Sequence, residues 1–198
     1  MSFSYPIEDP SQAALASAGA SDADLMAAFK NGEHPAFNLL FDRYRDRVTS
    51  YCWRMLRNRE EAEEVALETF CRVVEGAWAP KGSFRAFLFT VAHRLCLDRL
   101  RKRHRTLRFA RLWRAAGTER LTPEQSVASD ERRAALESAL AQLPDAHRAT
   151  VLLYYGQELR SQDVANIMRC SDQQVRSRLS YARRKLRSEL AHLEGLTS

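Results

Sequence analysis

Helical periodicity of the apolar residues is the feature that most constrains the fold of this 198-residue chain. Apolar side chains recur three and four positions apart in one segment after another. Almost no segment alternates with the period of two that a half-buried strand requires. Only seven glycines interrupt these patterns, and a hydrophobic content of 45% is typical of a folded chain rather than a disordered one. The sequence therefore predicts an all-α protein.

Four helices are predicted in the first half of the chain, beginning at or near Ser21, Pro35, Arg59 and Phe84. The third, over 59–78, opens with glutamates that suit the positive end of a helix dipole. Its apolar residues form two stripes, of which one can face a hydrophobic core. The other stripe needs a partner, and it consists of Leu67, Cys71, Val74 and Trp78.

Two short helices in the second half are joined by the turn RCSD, and the second of them, from Ser171, is long and basic. These proportions are typical of a helix-turn-helix. In that motif the first turn of the second helix meets base edges in the major groove, which here places Gln173, Gln174 and Arg176 at the bases. Glutamine pairs with adenine and arginine with guanine, whereas the later arginines of the helix would reach phosphates.

Basic residues are concentrated in two segments, over 94–120 and 176–187, although the whole chain has a net charge of only +6. Two separated basic surfaces are typical of a protein that binds one polyanion. A solvated helix face remains the alternative for either segment alone. Residues 106–129 lose the helical periodicity beyond Ala116 and predict a flexible basic linker between two small helical domains.

Other functional classes find little support in the sequence. The four cysteines, Cys52, Cys71, Cys96 and Cys170, lie far apart at apolar positions and predict buried free thiols without a metal site. The opening 20 residues lack the features of a signal peptide and predict a disordered tail. There is no phosphate-binding glycine loop and no nucleophile with a neighbouring base, so we expect neither an enzyme nor a cofactor.

In order and spacing, these segments resemble the extracytoplasmic-function group of the sigma-70 family, the initiation factors of bacterial RNA polymerase. DLMAAFKNGEHPAFNLLFDRYRDRV and AEEVALETFCRVV look like region two, and FRAFLFTVAHRLCLDRLRKRHR looks like its promoter-melting, minus-ten-reading part. The stretch from ALAQLPDAHR to SDQQVRSRLSYARRKLRSEL looks like region four. The resemblance implies a tail over 1–20, region two over 21–105, a linker over 106–129 and region four over 130–198.

The resemblance also implies a function and a set of binding residues. A cytoplasmic sigma factor would bind the clamp coiled coil of the largest polymerase subunit and the flap of the second-largest, and an anti-sigma factor would hold it. The implied polymerase-binding residues are Glu64, Leu67, Glu68 and Cys71. The implied minus-ten residues are Trp78, Lys81, Arg94, Asp98, Arg99, Arg101 and Lys102. The implied minus-thirty-five residues are Gln173, Gln174, Arg176, Ser177, Arg178, Ser180, Arg183, Arg184 and Lys185.

The chain departs from the family pattern at three places. The family usually has Asp and Gln at the positions of Glu64 and Leu67, Asn at that of Arg94, and Gly-Thr at that of Gln173-Gln174. Leu67 replaces an amide contact with an apolar one. Arg94 favours phosphate over base contact. The two glutamines predict an unusual minus-thirty-five sequence.

Two alternatives stay open at this point. The first is a stand-alone helix-turn-helix regulator that binds DNA without polymerase. The second is a membrane-surface helix formed by TLRFARLWRAA, in which leucine and tryptophan accompany arginine. For that segment we prefer a linker that enters a nucleic-acid channel of the polymerase, where positive charge is favoured.

Overall fold

The computed structural model describes residues 19–76, 82–113 and 131–194, with side chains over 19–76, 82–106 and 134–191. Over these ranges every regular element is helical, which confirms the all-α prediction. The α-helices are α1 Asp22–Lys30, α2 His34–Leu56, α3 Arg59–Val74, α4 Phe84–Trp113, α5 Glu131–Ala141, α6 Asp145–Val151, α7 Ser161–Met168 and α8 Asp172–Glu194. Outside the described residues lie 1–18 of the predicted tail, Trp78, Lys81, and 114–129 of the predicted linker.

Side chains at the helix starts explain where the first three helices begin. Ser21 and Asp24 form a capping box on α1, in which the Ser21 hydroxyl accepts from the Asp24 amide at 3.3 Å and the Asp24 carboxylate accepts from the Ser21 amide at 3.1 Å. Pro35 lies in the first turn of α2, where its missing N–H costs nothing. Asn58 caps α3 by accepting from the amide of Glu61 at 2.9 Å.

Helices α1 to α4 form the first domain, a bundle centred on α2. The buried face of α2 follows the predicted periodicity and carries Leu40, Tyr44, Val48, Tyr51 and Met55. Helix α4 packs on it with Phe84, Leu88, Phe89, Ala92 and Cys96. Each large apolar side chain removed from water in this way stabilises the bundle by about 1.5–3 kcal/mol.

Two helix ends differ from the sequence prediction. Helix α3 stops at Val74 rather than at 78, because Gly76 adopts a φ of +80°, a conformation that leaves the helix and suits glycine. Helix α4 runs on to Trp113, through residues 106–113 of the predicted linker. Neither glycine nor proline occurs between Phe84 and Trp113, so no residue there ends the helix.

Helices α5 to α8 form the second domain, which contains the predicted helix-turn-helix. Helix α6 continues into a π-helical turn over Leu152–Gly156. Helices α7 and α8 are joined through Arg169, which has a left-handed φ of 50° and turns the chain after α7. The apolar stripe of α8, with Val175, Leu179 and Ala182, is buried as its spacing predicted.

The two domains pack against each other. Helix α7 lies against α4, and α5 and α6 lie against α2. The buried apolar residues of both domains form one continuous cluster, and several charged side chains cross between the domains beside it. The sequence had predicted only a linker between the two domains, so this packing is an additional feature of the fold.

Candidate polymerase and DNA interfaces

An exposed apolar stripe runs along the outer face of α3, on the side away from the bundle core. Leu67 and Val74 are 61% and 51% exposed, and Cys71, one turn from each, is also exposed. The opposite face of the same helix is buried through Ala62, Val65, Ala66, Phe70 and Val73. The two stripes seen in the sequence therefore face opposite ways. The prediction of buried cysteines is wrong for Cys71.

A shallow groove of about 260 Å³ borders this stripe between α2 and α3. Phe41, Ala66, Leu67 and Phe70 supply its apolar wall, while Arg45 and Glu63 line its polar side. Contiguous exposed apolar surface on a monomer marks an interaction site more often than a defect of folding. The predicted docking residues thus have both an apolar contact surface and a recess beside it.

Arg99 connects the predicted docking surface to the predicted DNA surface. Its guanidinium lies 2.9 Å from a carboxylate oxygen of Glu64 and 4.0 Å from one of Glu68. Arg99 comes from α4 and both acids from α3. A side chain predicted to bind DNA therefore pairs with two predicted to bind polymerase, and the two surfaces adjoin at this point.

The other described minus-ten residues share one exposed length of α4. Arg94, Asp98, Arg101 and Lys102 are all exposed, and their spacing of four, three and one places them along one side of the helix. Asp98 and Arg101 form an ion pair at 3.2 Å, so one positive charge of this face is locally compensated. Arg94 and Lys102 have no ion pair among the described residues, which leaves them the freer contacts for phosphate.

His93, also on α4, does not lie on this exposed side. It is buried, and its Nδ1 is 2.8 Å from the hydroxyl of Tyr51. Burial, reinforced by the charges of Arg101, Arg178 and Arg94, lowers the pKa of His93 to about 4. The sequence could have indicated this burial, because Phe89 at i−4 and Cys96 at i+3 define the buried stripe on which His93 lies.

On α8 the residues predicted to read the minus-thirty-five element form a face opposite its buried stripe. The exposed members are Gln173, Gln174, Arg176, Ser177, Ser180, Arg183 and Arg184. Arg176 is paired with Asp172 at 2.6 Å, and Lys185 with Glu189 at 2.8 Å. Both pairs join residues four apart on an exposed helix surface, where such contacts are worth only about 0.3–0.5 kcal/mol and are easily exchanged for phosphate.

Gln174 has a structural role that the sequence analysis missed. Its side-chain oxygen accepts from the amide of Ser171 at 3.0 Å, while the Ser171 hydroxyl accepts from the amide of Gln174 at 3.2 Å. This is a capping box at the start of α8, and the pattern Ser-x-x-Gln was readable in the sequence. Gln173 has no such bond, so of the two glutamines it is the freer to contact a base.

Arg178, also predicted to bind DNA, makes contacts within the protein. It is half-buried, and its guanidinium donates to the sulfur of Cys170 at 3.5 Å. Its charge lowers the pKa of both His93 in the first domain and His147 in the second, after burial as the larger cause in each case. Arg178 therefore lies on the side of α8 that faces the neighbouring helices.

Tyr181 is a candidate contact that the sequence analysis did not include. It lies between Ser177 and Arg184 on the exposed face of α8, with its ring 4.6 Å from that of His147. The guanidinium of Arg184 lies 5.8 Å from the centre of the same ring, within the range of a cation–π contact. The sequence could have indicated this position, because Tyr181 follows Ser177 by four residues and so lies on the same face of the helix. Packing on two sides holds the hydroxyl-bearing ring beside the residues predicted to meet DNA.

Other kinds of site find no support in the described part of the chain. Among those residues, no group of three or more histidine, cysteine or acidic side chains is placed to hold a metal ion. None of the helices described there has the length and apolarity needed to cross a bilayer.

Comparison with known proteins agrees with this division into two domains. Residues 40–106 match the family model for Sigma-70 region 2, and residues 139–188 match that for Sigma-70, region 4. The ECF RNA polymerase sigma factor SigW of Bacillus subtilis is 30% identical over 177 residues, covering 83% of this chain and 94% of the relative. SigL of Mycobacterium tuberculosis, also an ECF sigma factor, is 33% identical over 192 residues, covering 91% and 97%.

Two solved structures share the fold. One is the sigma factor RpoE in complex with the anti-sigma factor NepR from Bartonella quintana, with a TM-score of 0.64, 20% identity, and coverage of 78% of this chain and 96% of that one. The other is CnrH in complex with the cytosolic domain of CnrY, with a TM-score of 0.61, 22% identity, and coverage of 85% and 96%. From its two matched domains and these full-length relatives, the chain belongs to the extracytoplasmic-function group of the sigma-70 family and is a sigma factor of RNA polymerase that directs transcription initiation at promoters.

Proposed function

We propose that this sigma factor docks on core polymerase through the exposed stripe of α3, with the clamp coiled coil of the largest subunit as its partner. The stripe of Leu67, Cys71 and Val74 is the observation that carries the proposal, since its burial against a partner would remove exposed apolar surface from water. Glu64 and Glu68 flank the stripe and supply polar rim contacts of the kind found around apolar interface centres.

The second domain would contact the flap of the second-largest subunit and present α8 to the minus-thirty-five element. Gln173 and Arg176 in the first turn would read bases, and Arg183 and Arg184 further along would bind phosphates. The basic face of α4 would bind the melted strand at the minus-ten element, where Arg94 and the other exposed residues form a positive surface. Trp78 and Lys81 remain candidates for the same strand.

The chain would act in the cytoplasm with polymerase, and an anti-sigma factor would hold it inactive. Support comes from the two related folds, since RpoE was solved in complex with the anti-sigma factor NepR and CnrH in complex with the cytosolic domain of CnrY. Catalysis would belong to the polymerase, to which the chain would supply recognition surfaces.

The docking proposal is tested with Leu67→Lys, assayed by co-purification with core polymerase. A lysine cannot be buried at an apolar contact without a large desolvation cost, so we expect co-purification to be lost. Leu67→Met is the matched control, because it keeps the size and apolarity of the side chain and should still bind. Circular dichroism should show equal helical content in both variants. Binding of Leu67→Lys at the level of the unsubstituted chain would remove the docking surface from α3.

Run-off transcription on genomic fragments tests the alternative of a stand-alone helix-turn-helix regulator. Core polymerase should initiate at discrete start sites only when the chain is added. A regulator acting alone would instead bind its fragments tightly without polymerase and give no new start sites. The same experiment yields the promoter sequences needed to examine α8.

A further inference from the structure

Asp172, the first residue of α8, forms an ion pair with an arginine on the exposed face of the same helix. Its Oδ2 lies 2.6 Å from a terminal nitrogen of Arg176, one turn further along. The side chain of Arg176 is 75% exposed, whereas that of Asp172 is only 26% exposed. The carboxylate is therefore the anchored member of the pair, and the guanidinium is the member that reaches outward.

The second carboxylate oxygen distinguishes this pair from an ordinary surface ion pair. The Oδ1 of Asp172 is buried and has no hydrogen-bond partner among the described residues. A carboxylate that has lost water on one side depends more on its contact with a cation than a fully hydrated one does. The helix dipole also favours a negative charge in this first turn. Asp172 thus gives Arg176 a fixed anionic support.

The arginines further along the exposed face of α8 are held in other ways. Arg183 donates to a backbone carbonyl of its own helix at 3.4 Å, and the guanidinium of Arg184 lies 5.8 Å from the centre of the Tyr181 ring. Both lie where phosphates are expected, and a phosphate contact carries no sequence information. The pair of Asp172 and Arg176 lies instead at the end of α8 that is expected at the bases, where the direction of the side chain matters.

Base reading by an arginine depends on the orientation of its guanidinium. The group recognises guanine by donating two parallel hydrogen bonds to O6 and N7, so its plane has to face the edge of the base. A guanidinium has five N–H donors, and one nitrogen can hold a carboxylate while other donors stay available to a base. A long side chain that is already fixed in the free protein also loses less conformational freedom on binding.

We propose that Asp172 is the positioning residue for Arg176, and that it sets how strictly α8 selects guanine at one position of the minus-thirty-five element. The inference rests on the proposed reading of promoter DNA by α8. Asp172 also brings a negative charge towards a polyanion, so it weakens the attraction of α8 for DNA of any sequence. Its effect is to lower general affinity and to raise base selection.

The test measures base selection and general affinity separately, with holoenzyme and a duplex library randomised over the minus-thirty-five element. In Asp172→Ala, Arg176 loses its support and keeps its charge. We expect the preference at the position that Arg176 reads to fall by about two- to tenfold, the range that the ordering of one long side chain represents. Affinity for unrelated duplex DNA should rise, because a negative charge near the phosphates has been removed.

Further variants show whether Asp172 acts through Arg176. In the Arg176→Ala background, Asp172→Ala should leave the base preference unchanged, because the side chain to be positioned is absent. Asp172→Asn keeps the size and one acceptor oxygen and should retain part of the preference. Glu189→Gln is the matched control, since Glu189 also pairs with a cation four residues away on α8, Lys185 at 2.8 Å. It should leave the base preference unchanged.

Thermal unfolding of each variant is measured alongside, because Asp172→Ala also removes a favourable charge from the first turn of α8. Base preference is a ratio of two affinities in one preparation, so it does not depend on the folded fraction. Unchanged or sharper selection by Asp172→Ala would overturn the proposal. A further loss of preference on adding Asp172→Ala to Arg176→Ala would overturn it too.

The same library separates this inference from the proposed function. If Arg176→Ala relaxes the base preference and Asp172→Ala does not, the positioning role of Asp172 fails and the reading of bases by α8 stands. If Arg176→Ala itself leaves the preference intact, the reading of bases by Arg176 fails, and the positioning role fails with it.

Discussion

Tyr51 and His93 form a buried hydrogen bond between α2 and α4, with the tyrosine hydroxyl 2.8 Å from Nδ1 of the imidazole. The pKa of His93 is lowered to about 4 by burial, below the value of about 6.5 that the unfolded chain would have. In that interval the unfolded state binds the proton and the folded state does not. The stability linked to His93 is therefore fully present above pH 6.5 and is lost progressively as the pH falls from 6.5 to 4.

We expect the free energy of unfolding to fall by about 3 kcal/mol from this group between pH 7 and pH 4, because the two pKa values differ by about 2.5 units. Urea titrations at several pH values measure it. His93→Gln removes the titrating group and should flatten that part of the profile. His34→Gln, at an exposed position, is the control and should leave the profile unchanged. If the free energy of unfolding of His93→Gln fell with pH as steeply as that of the unsubstituted chain, other groups would be the cause of the acid sensitivity.

Cys71 should be the first thiol to react in the folded chain. It is exposed, whereas Cys52 and Cys96 are fully buried, and a hydrogen bond with Cys52 together with burial raises the pKa of Cys96. A bulky maleimide should therefore attach at Cys71 and block co-purification with core polymerase. Peptide mass mapping identifies the site. Cys71→Ser treated with the same maleimide should still co-purify with core polymerase. If the treated Cys71→Ser variant also lost co-purification, the polymerase would bind at a different surface.

Substitution of the two glutamines at the start of α8 should have different effects. Gln174→Ala removes a hydrogen bond of the capping box and should cost about 0.5–1.5 kcal/mol of stability. Gln173→Ala removes no such bond, so we expect unchanged thermal unfolding and an altered base preference at one promoter position. Calorimetry measures the first effect, and binding to a randomised minus-thirty-five library measures the second. Equal stability of the two variants would contradict the capping role of Gln174.

Arginines along α8 should separate into base-reading and phosphate-binding residues. Arg176→Ala should cost about 1–3 kcal/mol on the preferred sequence and relax the choice at one base position. Arg184→Ala should weaken binding to all sequences alike and reduce the salt dependence by about one unit of slope. Holoenzyme binding at several salt concentrations gives both quantities. If Arg176→Ala also weakens all sequences equally, α8 does not present its first turn to base edges.

Local signals in the sequence were sufficient for most of the helices. The start of α1 near Ser21 and the apolar spacing along α2 and α8 were predicted correctly, because each depends on residues within a few positions of one another. The exposed stripe of α3 was predicted too, since a helix with two apolar stripes can bury only one of them in a small bundle. Helix ends were predicted less accurately, since α3 ends at Val74, before the predicted end, and α4 continues to Trp113, inside the predicted linker.

The packing of the two domains could not be predicted from local patterns. Arg54, Glu137 and Arg148 have the composition of a solvated helix surface, and only the tertiary fold brings them together. The same holds for Arg99, because nothing in its sequence neighbourhood indicates the ion pair that it forms with Glu64 of another helix. Long-range contacts between charged residues leave no periodicity in a single sequence. His93 and Gln174 are different, because their neighbours in the sequence already contained the signal.

The left-handed backbone at Arg57 and Glu158 links local strain to the state of the whole molecule. Their φ angles of 55° and 53° are ones that glycine adopts freely and that other residues adopt at a cost of about 1 kcal/mol or more. Both side chains reach across to the other domain, Arg57 to Glu137 and Glu158 to Arg47. Glycine at either position would relax the turn and at the same time delete a contact between the domains. Selection for a more heat-resistant chain at these two positions would thus favour a sigma factor that is less restrained when free.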